Sequence, residues 1–295
     1  MRSVLITGAT GYFGQGMVRH LLKQPQPQRI CIFSRDEAKQ AAMRATIPDP
    51  KQRLHFFVGD VRDKDRLKRA MNGVGYVIHA AALKRVEVGE YDPAEMAKTN
   101  IIGTMNLIEA AMDAPLGILD PGPRRVVALS TDKACQPLNA YGASKLMLEK
   151  LVLGANNARG QYGPIFGVTR YGNVAGSTGS VIQNWREVAL GIRKELCVTD
   201  PKATRFWMTL QQAIDLVLET AKTMHGGEMV IPNLPAYQLG DLITAMGIDR
   251  LATNYKILGL GPGEKLHERM IENGPDSSQV RRMTIEELRE GLTQI

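Results

Sequence analysis

The stretch that decides the fold is Ser3-Val-Leu-Ile-Thr7, followed at once by Gly8-Ala9-Thr10-Gly11-Tyr12-Phe13-Gly14. An apolar run of strand length meets three glycines spaced three apart. Behind them GQGMVRHLLKQ (14–24) has the apolar spacing of an amphipathic helix. Strand, glycine turn and helix form the setting in which a glycine triplet binds a dinucleotide. The glycines let the backbone approach a pyrophosphate, and the helix N-terminus favours its charge. The expected cofactor contacts here are Gly8, Thr10, Gly11, Tyr12, Phe13 and Gly14. A glycine-rich turn with no ligand is the alternative, and the residues further along the chain weigh against it.

The same alternation continues outward from this turn. RICIF (29–33), LHFFVG (54–59), YVIHAA (76–81), RVVALS (125–130) and IFGVTRYG (165–172) read as buried strands. EAKQAAMRAT (37–46), KDRLKRAM (64–71), TNIIGTMNLIEAAM (99–112) and NAYGASKLMLEKLVLGA (139–155) read as helices. Alternating strands and helices predict an α/β fold, a Rossmann-like doubly wound parallel sheet. Residues 113–123 are rich in Pro and Gly and read as an exposed loop. Beyond residue 176 the pattern is mixed. The expected division is a dinucleotide-binding domain over 1–175 and a smaller mixed α/β substrate-binding region over 176–295, with scope for the chain to return to the sheet. That second region is expected over the carboxyl ends of the strands, where open α/β sheets bind ligands.

Composition narrows the function. The 295 residues include 44% hydrophobic and 23% charged side chains, enough apolar material for a core and too much for disorder. No run of about 18 apolar residues offers a membrane span. Lys+Arg 37 against Asp+Glu 30 gives a net charge of +7, but the basic residues are scattered. A phosphorylated small molecule suits that distribution better than nucleic acid, which needs a clustered basic face. Cys31, Cys135 and Cys197 are far apart and odd in number, so neither a disulfide framework nor a metal site is expected. With no leader-like segment before MRSVLITGATG, the expected location is cytoplasmic.

About 20 residues past the glycine turn, the position of a ribose-binding acid holds Ser34-Arg35, with Lys39 following. Two cations there suit a 2′-phosphate and point to NADP, while the adjacent Asp36 points the other way. Asp60 and Val61 are expected near the adenine. Ala80, Ala81 and Ala82 are small enough to let backbone pass the cofactor, and Leu129, Ser130 and Val174 are further expected contacts. His79 has no nucleophile beside it and reads as structural. Tyr141 and Lys145 lie four apart on a predicted helix, so phenol and ammonium share a face. The lysine and a positive nicotinamide would lower the tyrosine pKa, making a general base for a hydroxyl. Thr131, Asp132 and Lys133 follow the fifth strand. Asp132 and Lys133 add a second acid/base pair to the same pocket, as a dehydration requires: an acid for the leaving hydroxyl and a base for the proton beside a ketone. A surface ion pair at a strand end is the plainer reading of those two.

These motifs together resemble an extended short-chain dehydrogenase/reductase, and within it the inverting UDP-N-acetylglucosamine 4,6-dehydratases. The resemblance rests on TGATGYFG, FSRDEAKQ, GDVRD, HAAALKRVEVGEYDPAEMAKTNIIGTMN, LSTDKACQPLNAYGASKL, RYGNVAGSTGSVI, TRFWMTL and GPGEKLHE. It implies that Tyr141 deprotonates the 4-hydroxyl, Lys133 removes and returns the proton at carbon 5, and Asp132 protonates the departing 6-hydroxyl. It implies NADP that stays bound and is recycled, a nucleotide-sugar partner and a homo-oligomer. It places Lys84, Asn173, Thr178, Gly179, Ser180, Val181, Ile182, Thr199 and Arg205 around the substrate, and Lys84 beside the cofactor too. An epimerase or a 5,6-dehydratase on the same scaffold is the alternative, and a non-enzymatic dinucleotide-binding protein is a further one. Two positions depart from the family pattern: Thr178 and Gly261 stand where arginine is usual. Arg186, Arg193 or Lys202 are candidates to replace that charge.

Overall fold

The computed structural model describes residues 1–120, 122–190, 192, 195–248 and 255–295. The first half runs β1 (Ser3–Thr7), α1 (Tyr12–Lys23), β2 (Arg29–Ser34), α2 (Glu37–Thr46), β3 (Leu54–Val58), α3 (Lys64–Met71), β4 (Tyr76–His79), α4 (Val86–Tyr91) and α5 (Pro93–Ala97). A π-helical turn (Lys98–Ile102) leads into α6 (Gly103–Asp113). Then come β5 (Arg125–Leu129), α7 (Ala140–Gly154), β6 (Ile165–Thr169) and β7 (Asn173–Val174). The remainder holds α8 (Val181–Ala189), β8 (Leu196–Val198), β9 (Thr204–Met208), α9 (Leu210–Thr223), β10 (Met229–Val230), β11 (Ala236–Gln238), α10 (Leu239–Ala245), β12 (Tyr255–Ile257) and α11 (Ile285–Thr293).

Seven strands form one parallel sheet in the order β10-β6-β5-β4-β1-β2-β3. The strands read as unbroken apolar runs because helices cover both faces. Within β1, Val4 and Ile6 point to one face with Met17, Val18 and Leu21 of α1 and Ile214 and Val217 of α9. Leu5 points to the other, with Leu67 of α3, Leu107 of α6 and Leu148 of α7. The chain does return to the sheet: α9 covers one face and β10 pairs with β6 at its edge. Two residues are too few to show a period, so β10 was not predicted. A third core, around Trp185, Leu196, Trp207, Tyr237, Leu242 and Leu288, holds together the small sheets β11-β9-β7 and β12-β8. Among the described residues no helix is long and apolar enough to cross a membrane, and no His, Cys, Asp and Glu cluster could hold a metal.

Three local devices matter for the site. Asp36 and Asp63 cap α2 and α3 by accepting from Lys39 and Arg66 N–H groups, as N-cap carboxylates do. Buried Arg124 donates to the carbonyls of Met71, Val74, Ala111, Ala114 and Pro115, tying the ends of α3 and α6 to the start of β5. Burial lowers its pKa to about 10. The predicted helix over 99–112 is regular only from Gly103, because its first turn is widened by the π segment. That segment carries Asn100, fully buried. Its amide accepts from Leu83 N–H and donates to the Leu83 carbonyl and to Ser144 Oγ at 2.8–2.9 Å. Asn100 therefore fixes the loop after β4 against α7.

Candidate active site

β1 is flanked by β2 and β4, and the crossovers leave it in opposite directions. The crevice that results at the carboxyl ends of the strands is where α/β sheets bind ligands. Here it is a cavity of about 1270 Å³. Gly8 lies at φ +68, and a Cβ there would stand 2.8 Å from Ala81 N, so the turn needs glycine on both counts. Gly11 is the N-cap of α1 without a side-chain bond, and the first turn has no acid. The first N–H groups of α1 are thus left for an anion, and the cradle fits a dinucleotide pyrophosphate.

Every sequence-predicted cofactor residue lines this cavity except Asp60. Its carboxylate accepts from Arg62 N, Nε and NH2 at 2.8–3.0 Å, with cavity-lining Arg35 at 3.6 Å. Ser34 Oγ accepts from Gln40 Nε2 at 3.0 Å. Arg35 sits 3.6 Å from Asp60, and Lys39 sits 3.3 Å from Asp36, both at the surface. His79 is structural as expected. It is fully buried between the Thr7 and Thr104 hydroxyls, and burial, with Lys145 nearby, drops its pKa to about 3.

The reactive end lies at the tip of β5. Asn139 caps α7 by accepting from Gly142 N–H at 2.7 Å. A Cβ on Gly142 would fall 2.2 Å from the Lys133 carbonyl, so glycine lets α7 lie against the 131–133 turn. That contact brings Tyr141 and Lys145 beside Thr131, Asp132 and Lys133. Lys145 Nζ donates to the Leu129 carbonyl at 2.6 Å, and burial lowers its pKa to about 8 against the opposing pull of Glu149. Burial pushes the Tyr141 phenol up to about 12, although Lys133 and a hydrogen bond with Thr131 pull it down. In the protein alone the phenol is therefore neutral, and Lys145 does not by itself activate it.

Asp132 departs from expectation in place. It is fully buried beneath the cavity floor, with Oδ1 accepting from Thr131 Oγ1 at 3.0 Å and from Lys133 Nζ at 3.2 Å. Burial raises its pKa, Lys133 opposes this and Glu268 adds to it. Lys133 also stands 3.3 Å from Glu268 Oε1 and 3.4 Å from Asn173 Oδ1. Burial disfavours its charge, but Asp132 and Glu268 outweigh burial and hold it as an ammonium. Glu268 escaped the sequence reading although it lies in GPGEKLHE. Nothing in its spacing links it to Lys133, 135 residues earlier. Beneath this floor Glu149 accepts from Ser130 Oγ at 2.6 Å and pairs with Arg170 at 2.5 Å, and Arg170 also donates to the Met270 carbonyl.

The expected substrate residues Lys84, Asn173, Thr178, Gly179, Ser180, Val181, Ile182, Thr199 and Arg205 all line the same cavity. Arg205 is turned by the Thr204 and Leu266 carbonyls. Of the candidates for the missing arginines, Arg186 is not in the cavity lining and donates to the Leu292 and Ile295 carbonyls. Lys202 is not in the lining, and Arg193 lies outside the described residues. Arg85 does line it, beside Gly179.

A profile of the polysaccharide biosynthesis protein family matches residues 4–288. The UDP-N-acetylglucosamine 4,6-dehydratase (inverting) of Campylobacter jejuni is 46% identical over 272 residues, 92% of this chain and 78% of that one. The UDP-glucose 4-epimerase of Rickettsia rickettsii is 38% identical over 277 residues, with the same two shares covered. Among solved structures, Pen from Bacillus thuringiensis superposes with a TM-score of 0.90 at 33% identity, covering 100% of this chain and 98% of that chain.

Proposed function

The chain belongs to the polysaccharide biosynthesis protein family, within the extended short-chain dehydrogenase/reductases, and from that premise we propose that it is an NADP-dependent 4,6-dehydratase acting on UDP-N-acetylglucosamine or a close relative, inverting carbon 5. The observation that carries this reading is the Asp132–Lys133 pair set beside Tyr141 at the tip of β5. A 4-epimerase needs one base for the 4-hydroxyl and has no use for a second acid/base pair. Elimination across carbons 5 and 6 uses both members.

A nicotinamide cofactor held by the Gly8–Gly14 turn and Lys145 would supply reversible hydride transfer, from carbon 4 and back to carbon 6. Tyr141 accepts the 4-hydroxyl proton; burial holds its phenol up to about 12 against Lys133 and the Thr131 hydrogen bond, and a positive nicotinamide would add to that lowering. Lys133 removes the proton at carbon 5, now acidified by the 4-ketone, and later returns it to the opposite face. Asp132, with the raised pKa of an acid, protonates the departing 6-hydroxyl by way of the Thr131 hydroxyl that links it to the cavity. Arg205 takes the diphosphate, where a planar guanidinium suits paired oxygens. Arg35 and Lys39 support NADP over NAD. Their surface carboxylate partners are weak, and a 2′-phosphate offers each a stronger charge-assisted bond.

The test is proton NMR of the purified protein with UDP-N-acetylglucosamine in heavy water. The expected result is a new 6-deoxy methyl signal with deuterium at carbon 5 in the inverted configuration. A changed carbon 4 with no methyl would make the protein an epimerase, and vinylic protons would make it a 5,6-dehydratase.

A further inference from the structure

Glu268 is buried, lines the cavity and touches the proposed base directly, yet the chemistry above leaves it idle. Its position is built. The Glu268 N–H donates to Ser277 Oγ at 2.9 Å, its carbonyl accepts from Ser277 N–H at 2.8 Å, and the Arg170 bond to Met270 anchors the segment two residues on. Oε1 faces Lys133 at 3.3 Å, while Oε2 is buried with no hydrogen-bond partner among the described residues and has Lys265 at 3.9 Å.

Elimination needs an acid and a base ready at the same moment: Asp132 protonated and Lys133 neutral. Lys133 begins as an ammonium, donating to Asp132 Oδ1 at 3.2 Å and paired with the Glu268 carboxylate at 3.3 Å. It must shed a proton before it can take one from carbon 5. If that proton goes to Asp132, the donor site for the leaving hydroxyl must still be empty beforehand, and burial argues that it is filled. Asn173 Oδ1, at 3.4 Å, is an amide oxygen and holds no proton. The Tyr141 phenol, which also acts on Lys133, is committed to the 4-hydroxyl proton, so the carboxylate oxygen left within salt-bridge distance among the described residues is Glu268 Oε1.

We propose that Glu268 is the proton store that frees Lys133 to act as a base, a positioning residue that works through Lys133 and touches no substrate atom. Resting on the dehydratase reading, the step balances. For the moment of elimination the Lys133 ammonium gives its proton to Glu268, leaving a free amine and a carboxylic acid; burial favours the acid, and Arg205 and Lys265 pull the other way. The amine takes the carbon 5 proton as Asp132 protonates the departing hydroxyl, which leaves as water. Lys133 later gives a proton to the other face of carbon 5, Glu268 restores the ammonium, and the proton that Tyr141 took from the 4-hydroxyl replaces the one Asp132 gave up. The anion of Glu268 also repels charge on Asp132 and so helps keep it in the acid form. With glutamine at 268, Lys133 and Asp132 become a plain ion pair, each in the protonation state opposite to the one its step needs.

The test compares wild type with Glu268→Gln, using UDP-N-acetylglucosamine with hydrogen or deuterium at carbon 5. Glutamine keeps the shape and can still accept from Lys133, so the expected KM is unchanged. The expected kcat falls about 100-fold, the low end for loss of an acid/base function. The carbon 5 isotope effect rises, because removal of that proton becomes the slow step. Wild-type kcat in the variant overturns the proposal, and so does a fall in kcat with no change in the isotope effect. Should the glutamine variant fail to fold, Glu268→Asp carries the test. It keeps a carboxylate further from Lys133, and the same pair of readouts decides. A wild-type protein that makes no dehydrated product would instead refute the dehydratase reading itself.

Discussion

At the β5 end of the cavity Asp132, Lys133, Glu149, Arg170 and Glu268 all pair with one another or with backbone. At the end walled by the 178–182 loop, Lys84 and Arg85 line the cavity with no carboxylate within salt-bridge distance among the described residues, and Arg205 stands between the two ends, near enough to act on Lys133 and Glu268. The first set is organised before any ligand arrives. The second keeps its positive charge for an incoming anion, and burial together with Arg85 already lowers the pKa of Lys84. Preorganised charge serves the transition state, whereas unpaired cations serve binding. Substitutions at the two ends should therefore separate folding and turnover from affinity.

The largest effect is expected beneath the floor. Arg170→Leu strands the Glu149 carboxylate in the core and removes the tie to Met270, so stability should fall by about 3–5 kcal/mol. Urea unfolding measures it. A loss below about 1 kcal/mol, the range of a surface pair, would mean that the floor is not held by its own charges. Between the two ends, Arg205→Ala should raise KM for the nucleotide sugar by a free energy of about 1.5–3 kcal/mol, the worth of a charge-assisted bond. Its kcat and unfolding midpoint should stay near wild type. A fall in kcat instead would move Arg205 into the preorganised set.

The smallest effect is one of pH. Lys145 holds its proton less tightly in the folded chain (about 8) than its ordinary 10.5. Between those values the unfolded chain binds the extra proton, so stability should rise with pH across that window. His79 acts in the same sense at about 3 against 6.5, so stability should be lost as pH falls from 6.5. Unfolding free energies of wild type and Lys145→Met, compared across pH 8 to 10.5, isolate the lysine contribution. Parallel curves would show that its ammonium is not penalised by burial.

What was legible in the sequence follows the same division. The parallel strands announce themselves because burial on both faces demands unbroken apolar runs, and α2 and α3 fall at their predicted limits because Asp36 and Asp63 cap them. The glycine cradle and the Tyr141–Lys145 pair are local in sequence and were read directly. α4 and α5 are too short for an apolar period, and β10 is shorter still. That Arg62 donates to the Asp60 carboxylate is not announced by anything local in the sequence. Glu268 and Arg85 reach the site by tertiary packing alone. The depth of Asp132 is likewise a property of the assembled floor.

The chain has two tryptophans. Trp185, on α8, donates to the Cys197 carbonyl, and Trp207, on β9, packs edge-on to Tyr237 at 5.5 Å; both line the cavity. The protein's indole emission therefore originates from one place. Any ligand that fills the cavity, excludes water from it or stacks near its wall changes that emission, and no surface tryptophan dilutes the change. The cavity carries its own optical reporter, so occupancy of either end can be followed in the unlabelled native chain.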